Sequence, residues 1–522
     1  MDIFNVMDLW GRALITVNKF WRGDMKLHPS VGKNVLSLSC LFIALSSASA
    51  YAAPDTAMYY TEMKKTREDL SDSSSKYVYE KLMKRKLSQA SADDGVDFGL
   101  HGMEIPAVKT TGDRAKIDKA YELLSRVGVN SLRSAETAWH RVADKNGDPT
   151  NFTEVDFQLK MAKKYGMSHL FLFGYPPAKY TVAHNKLSAV DPRFYDKYKN
   201  YLDVTLKHLA GYNVKYAELG NEVDAPNTWW MRSTPGMYVT EMKMLKEAIQ
   251  KSGQNIKTVA FAATYSRSLT QGGLSGGRRF VDKSFKLGID KYADAYSIHH
   301  FVFGADDLPG YMRSEMAKYN AQDKPLLDTE QLDTNSSGRY QSNPYDLIKL
   351  FARGFYVYDL KRVDYYLAKD RYLNGKLYYF GLFDDNWQPK IRLLAYAMAV
   401  DAMKGKHLLY MANPAKDVEA YVLQSNRNNT DKKYTILMWK NPPKHAKVQP
   451  VTVTGIKGDV TIEHWNLDIE KKGDISKGIS LDDKPIAIYT NEKPDWKTVK
   501  GQYFSSNLPQ MAASYAPMPN DK

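Results

Sequence analysis

The segment Val214-Lys-Tyr-Ala-Glu-Leu-Gly-Asn-Glu222 decides how this chain is read. Val214 to Gly220 has the length and composition of a buried strand, and it runs directly into Asn221 and Glu222. A second apolar run, Pro325-Leu-Leu-Asp-Thr329, ends in the same way on Glu330. Polar groups at the C-terminal ends of short apolar strands are the signature of a parallel barrel, whose functional side chains gather at that face.

The rhythm extends on both sides. Strand-like runs recur at Val96–His101, Val129–Arg133, His169–Gly174, Val214–Gly220, Thr258–Ala263, Ala293–His299, Pro325–Asp328 and Lys376–Gly381. Amphipathic stretches separate most of them. Over Asp113–Val127 the residues Ile117, Ala120, Leu123, Leu124 and Val127 fall on one helical stripe. Phe194–Leu209 and Tyr238–Ile249 read similarly, and Ile391–Met403 closes the set. Strands alternating with helices predict an α/β fold, a (β/α)8 TIM barrel, over 96–405.

After about residue 406 the helical period disappears. Tyr421-Val-Leu, Tyr434-Thr-Ile-Leu-Met, Val451-Thr-Val, Val460-Thr-Ile and Ile486-Ala-Ile-Tyr489 are short strands split by Asn, Gly, Pro and Lys turns. They predict a C-terminal β-sandwich over 406–500, followed by a tail at 501–522. Residues 53–95 read as a helical or leader segment.

The N-terminus reads as an address. Lys26 and Lys33 precede the apolar stretch Val35–Leu45, and Ala48-Ser-Ala50 and Ala50-Tyr-Ala52 offer small-residue cleavage sites. This predicts a signal peptide over 1–52, with Met25 the more ordinary start, and a secreted or periplasmic protein. The apolar stretch is too short to span a bilayer comfortably, so no stable membrane insertion is expected after cleavage. The single cysteine, Cys40, lies within that signal, which leaves the mature chain without a disulfide or a thiolate metal site. The formal charge of +14 is compatible with scattered surface lysines or with a cleft for an acidic polymer. No nucleic-acid-binding motif accompanies it, and no phosphate-binding loop pattern is present, so neither nucleic acid nor nucleotide is an expected partner.

If the barrel is right, the strand ends nominate the site. His101 ends the first strand, Arg133 the second, Tyr175 follows the third, and Asn221 and Glu222 follow the fourth. Tyr296, His299 and His300 belong to the sixth, Glu330 to the seventh, and Asp384, Asp385, Asn386 and Trp387 to the loop after the eighth. Two carboxylates at one barrel mouth suit cleavage of a glycosidic bond. Glu222 is the expected general acid/base, held protonated by burial and nearby negative charge. Glu330 is the expected nucleophile, kept ionised by Arg133. Asn221 is placed to donate to a sugar 2-hydroxyl. The competing reading is that each glutamate merely caps a helix after its strand. His299 and His300 are neighbours on a strand and point to opposite faces, so one ion cannot readily take both; no metal or other cofactor is expected. Trp229 with Trp230 and Tyr175 lie on rim loops that are candidates for specificity, and Trp387 is a candidate binding group whose alternative is core packing. The loop Gly272-Gly-Leu-Ser-Gly-Gly-Arg-Arg279 could hold a uronate or sulfate or could face solvent.

The motifs Glu218-Leu-Gly-Asn-Glu222, Asp328-Thr-Glu330 and Tyr296-Ser-Ile-His-His-Phe301 resemble the strand four, seven and six signatures of clan A retaining glycoside hydrolases. Family 39 is the most similar, with the heparanase-like family 79 second. The resemblance covers the barrel and the β-module. It implies a retaining double displacement with Glu222 as acid/base, Glu330 as nucleophile, and a polysaccharide or oligosaccharide as substrate. It departs at strand six, where the clan commonly carries His-x-Tyr with a hydroxyl on the nucleophile. Phe301 has no hydroxyl, so Tyr296 or another group replaces it, or the strand is read out of register. Two alternatives share the fold: a catalytically silent polysaccharide-binding protein, and a hydrolase specific for uronic-acid-containing glycans.

Overall fold

The computed structural model describes residues 72–87, 95–103, 111–224, 233–264, 276–299, 308–331, 344–373, 376–378, 381–426, 431–441 and 448–500. The expected signal segment and the C-terminal tail lie outside these residues. No helix among the described residues is long and apolar enough to cross a membrane.

Eight parallel strands close into a barrel in sequence order. They are β1 (Asp97–His101), β2 (Ser131–Ser134), β3 (Ser168–Phe173), β4 (Val214–Leu219), β5 (Lys257–Ala263), β6 (Ala295–Ile298), β7 (Leu326–Gln331) and β8 (Arg362–Tyr366). The last pairs with the first, His101 opposite Tyr366, and His101 also pairs with Arg133 of β2. Helices cover the outside. Thr111–Val127 buries Ile117, Ala120, Leu123, Leu124 and Val127, the stripe expected from its 3.6-residue period.

One strand differs from the expectation. The eighth is Arg362-Val-Asp-Tyr-Tyr366, not Lys376–Gly381. Its inward positions are charged, so it carries no apolar inner face. Arg362 and Asp364 form an ion pair at 2.7 Å inside the barrel, both side chains fully buried. Arg362 also bonds the Ser131 hydroxyl. Space for Asp364 comes from Gly99, where an added Cβ would lie 1.7 Å from Asp364 Oδ1. Leu170, Val259, Ala295 and Leu327 form a small apolar plug within the barrel, with Tyr216 against it. Part of the segment expected to be the eighth strand belongs instead to a separate compact unit. There β9 (Arg371–Leu373) and β10 (Lys376–Tyr378) pair as an antiparallel hairpin, Leu373 opposite Lys376.

The C-terminal module is antiparallel. Its strands are β11 (Lys406–Ala412), β12 (Val418–Ser425), β13 (Tyr434–Lys440), β14 (Val451–Val453), β15 (Val460–His464), β16 (Ile469–Lys472), β17 (Ile479–Leu481), β18 (Ile486–Thr490) and β19 (Thr498–Val499). Seven make one sheet in the order β16-β15-β18-β13-β12-β11-β19, and β14 with β17 makes a second. The main sheet is buried on both faces, with the two-residue alternation of a strand. Val418, Ala420, Ile436, Met438, Ile486 and Ile488 face the module's own core. Tyr421, Leu423, Leu437, Trp439 and Ala487 join the core of the barrel. Arg353, on the barrel helix Asp346–Tyr356, is bound on that seam by both carboxylate oxygens of Glu419, at 3.1 and 2.7 Å. The helix Asp72–Met83 adds a further tie: Lys81 bonds Asp468 of the module at 2.6 Å. Just beyond it, Arg85 is bidentate to Asp401 of the last barrel helix, at 2.6 and 2.7 Å.

Candidate active site

The site rests on a polar floor. Arg133, next to last in β2, points into the barrel, and its side chain is 0% exposed. Its Nε donates to Glu218 Oε2 at 2.7 Å, and Thr329 donates to the other oxygen of Glu218 at 2.9 Å. One terminal nitrogen of Arg133 donates to Asn221 Oδ1 at 2.8 Å; the other lies 2.9 Å from His101 Nδ1. A guanidinium can only donate, so Nδ1 of His101 accepts, and that imidazole is neutral with its proton on Nε2. The same Arg133 nitrogen stands 3.6 Å from Glu330 Oε2, near enough to favour its ionised form.

Above this floor stand the two carboxylates. Glu222 follows β4 through Gly220 (φ 72°) and is itself left-handed at φ 50°. A non-glycine residue held there carries backbone strain, which marks functional positions more often than others. Glu330 lies near the end of β7, where the pairing with β8 shifts register between Asp328 and Gln331. His299 sits between the two: its Nδ1 is 3.0 Å from Glu222 Oε1 and 3.1 Å from Glu330 Oε2. One oxygen of each carboxylate and one histidine nitrogen lie within 4.8 Å of one another. That trio could hold a cation by distance alone, but the fixed charge of Arg133 opposes one.

Burial, first, and the charges of Glu330 and Asp224, next, push the Glu222 carboxyl well above the usual carboxylate range, against the pull of Arg133. Burial, first, and the fixed charge of Arg133, next, hold the His299 imidazole well below its ordinary value. Both shifts favour the uncharged forms, the carboxylic acid at Glu222 and the neutral imidazole at His299. Asp224 is itself fastened: Thr264 N–H donates to it at 3.1 Å, and a Cβ on Gly277 would lie 2.6 Å from its Oδ2.

The structure thus brings together His101, Arg133, Asn221, Glu222, His299 and Glu330. Tyr296 is a correction. Alternation along β6 turns Ala295, Ser297 and His299 inward and Tyr296 and Ile298 outward. The Tyr296 ring packs on Phe261 and Phe285, at centroid distances of 5.9 and 5.0 Å, in the layer between barrel and helices. It cannot supply the hydroxyl missing at Phe301. Tyr175 (φ 49°) packs edge-on to His140 at 6.2 Å. Trp387 sits 5.8 Å from Phe383, with Lys369 Nζ 5.3 Å over its ring. Arg278 lies over the Tyr311 ring at 4.9 Å. Trp229, Trp230, His300 and Phe301 fall outside the described residues. Sequence reasoning missed Glu218, Thr329 and Tyr366. Tyr366 ends β8 and sets its ring edge-on to His101 at 5.2 Å. For Glu218 the signal was there, since it shares the inward parity of Tyr216 on β4.

The sequence matches no protein-family model and no curated protein. Solved structures do match. A family 39 glycoside hydrolase from Bacteroides cellulosilyticus superposes with a TM-score of 0.59 at 15% identity, over 77% of this chain and 83% of that one. The fold is shared. A GH30 endoxylanase from Clostridium papyrosolvens aligns with a TM-score of 0.51 at 14% identity, over 78% of this chain and 97% of its own. A conserved exported protein from Bacteroides fragilis gives a TM-score of 0.54 at 11% identity, over 78% and 98%. Barrel and β-module together are therefore an architecture found among glycoside hydrolases.

Proposed function

We propose that the protein is a retaining glycoside hydrolase, secreted or periplasmic, that cleaves a polysaccharide. The observation that carries the reading is the separation of the two carboxylates. One oxygen of Glu222 and one of Glu330 lie within 4.8 Å of each other at the ends of β4 and β7, a bound on the nearest atoms that favours the shorter of the two spacings. Retaining enzymes hold their carboxyls at about 5–5.5 Å, and inverting ones need roughly 6.5–9.5 Å to admit a water.

In the first step Glu330 attacks the anomeric carbon as the glycosidic C–O bond breaks, and Glu222 gives its proton to the departing oxygen. In the second, Glu222, now ionised, takes a proton from water as that water displaces Glu330. Arg133 and the Nδ1–H of His299 stabilise the Glu330 carboxylate before attack and again as it leaves. Asn221 has its Oδ1 occupied by Arg133, which turns the amide N–H2 outward as a donor for a sugar hydroxyl. The location is supported by the N-terminal signal pattern, and one of the structural neighbours is an exported protein.

The decisive experiment is azide rescue on aryl glycosides and defined polysaccharides. Glu330→Ala is expected to lose hydrolysis and, with azide, to form a glycosyl azide of inverted configuration. Glu222→Ala is expected to give the azide of retained configuration. Full hydrolysis by Glu330→Ala removes that residue from the chemistry. Binding of glycans with no product on long incubation favours the silent binder.

A further inference from the structure

Beside the site, β5 breaks its regular course. It pairs with β4 up to Leu219 opposite Ala260, and with β6 at Ala260 opposite Tyr296 and again at Ala263 opposite Ile298. Three steps along β5 thus match two along β6, and the extra residue makes a bulge at Phe261-Ala262. Both residues have positive φ, 93° and 46°. For a bulky phenylalanine this is a costly conformation that neighbouring structure must enforce.

Two hydroxyls enforce it. Tyr238, fully buried on the helix Pro235–Ser252, donates to Leu219 O at 3.1 Å and accepts from Phe261 N–H at 2.7 Å. It bridges β4 and β5 where their own ladder has ended. Ser297, inside the barrel on β6, accepts from Ala262 N–H at 2.9 Å and donates to Ala260 O at 3.2 Å. Each bulge N–H thus depends on a side chain for its partner.

The carbonyls at the bulge reach the site from both sides. Phe261 O accepts from Val223 N–H at 3.4 Å, the residue directly after Glu222. Ala263 O accepts from His299 N–H at 2.8 Å. The bulge and the residue after it, Ala263, therefore link the backbone just past Glu222 to that of His299.

We infer that Tyr238 and Ser297 are positioning residues, whose hydroxyls hold the Phe261-Ala262 bulge and through it the Glu222–His299 contact. The inference rests on the reading of Glu222 as the acid/base. Without Tyr238 Oη the Phe261 N–H is buried and unmet, the bulge relaxes, and Glu222 moves off the line to the departing oxygen. Displacements near 1 Å cost up to about 10²-fold in such steps.

The test compares kcat/KM on phenyl β-D-xyloside, whose leaving group needs a proton, with 2,4-dinitrophenyl β-D-xyloside, whose leaving group does not. Glu222→Ala supplies the reference pattern, a fall of about 10²-fold or more confined to the phenyl substrate. Tyr238→Phe and Ser297→Ala are expected to reproduce it more weakly, by roughly 10-fold, with the dinitrophenyl substrate changed less than about 3-fold. Equal falls on both substrates, or none, in folded variants overturn the inference while leaving the hydrolase reading intact. If Glu222→Ala itself shows no such selectivity, or the wild type cleaves neither substrate, the hydrolase reading fails for this glycoside. A crystal structure of Tyr238→Phe then decides the inference alone. It is overturned if Phe261 keeps its positive φ and Glu222 stays 3.0 Å from His299 Nδ1.

Discussion

Nδ1 of His299 lies 3.0 Å from Oε1 of Glu222. The nitrogen faces a carboxyl whose pKa is raised by burial, first, and by the negative charge of Glu330, next. Removing that charge removes one cause of the upward shift, so Glu330→Gln should lower the Glu222 pKa. Carbon-13 NMR of glutamate-labelled protein is the measurement. The Glu222 carboxyl should titrate above the usual carboxylate range in the wild type and at lower pH in Glu330→Gln. An unchanged titration would mean that Glu330 carries no charge in the resting site.

His299 is expected to matter for rate more than for binding. Its Nδ1–H is the donor shared by the two carboxylates, and loss of one preorganised donor typically costs about 10²–10³-fold in kcat. His299→Ala should fall in that range on an aryl glycoside that the wild type cleaves, with KM changed by less than about 5-fold. A rise in KM with kcat preserved would reassign His299 to substrate binding.

Gly99→Ala tests the charged barrel interior. The new methyl would sit 1.7 Å from Asp364 Oδ1, a short side chain already tied to Arg362. Overpacking of a dense interior costs about 1–3 kcal/mol, and displacing half of a buried ion pair adds to it. The expected loss is at least about 3 kcal/mol in urea unfolding. A change below about 1 kcal/mol would show that Asp364 swings aside freely.

Glu241 offers a stability test unconnected to turnover. It is fully buried, accepts from Val190 N–H at 2.7 Å, and burial pushes its carboxyl up to about 8. An unfolded glutamate titrates near ~4.3, so between that value and about 8 the folded chain holds a proton that the unfolded chain has lost. The stability contribution is whole below ~4.3 and drains away as pH rises through that window, by a total on the order of 5 kcal/mol. Glu241→Gln keeps the acceptor and lacks the titration. Its advantage over wild type in urea melts should grow from pH 4 to pH 8 and then level. Parallel stability curves would contradict it.

Seven barrel strands were legible because their apolar runs and turn residues mark them directly. The eighth was hidden by its own chemistry. Arg362 and Asp364 fill inward positions where a sequence reader expects aliphatic residues, while Leu377, Tyr378 and Tyr379 downstream imitate a buried strand. The carboxylate pair, Arg133, Asn221, His101 and His299 could be nominated from their places at strand ends. Tyr296 could not be excluded without the register of β6, because one residue's shift exchanges the inner and outer faces. Tyr238 left no trace at all: it lies on a helix, and only the bulge in β5 gives its hydroxyl a task.

The seam between barrel and β-module has a consequence for how such a chain can be recombined. Glu419 and Arg353 meet across it fully or almost fully buried, alongside Tyr421 and Trp439. A barrel severed near residue 405 would lose that ion pair and open to water the apolar face that Tyr421, Leu423, Leu437 and Trp439 now cover. Carbohydrate-active proteins joined by linkers can trade appendages freely. Here the module is closer to a missing wall of the barrel than to a passenger, so the two halves must be engineered as a single piece.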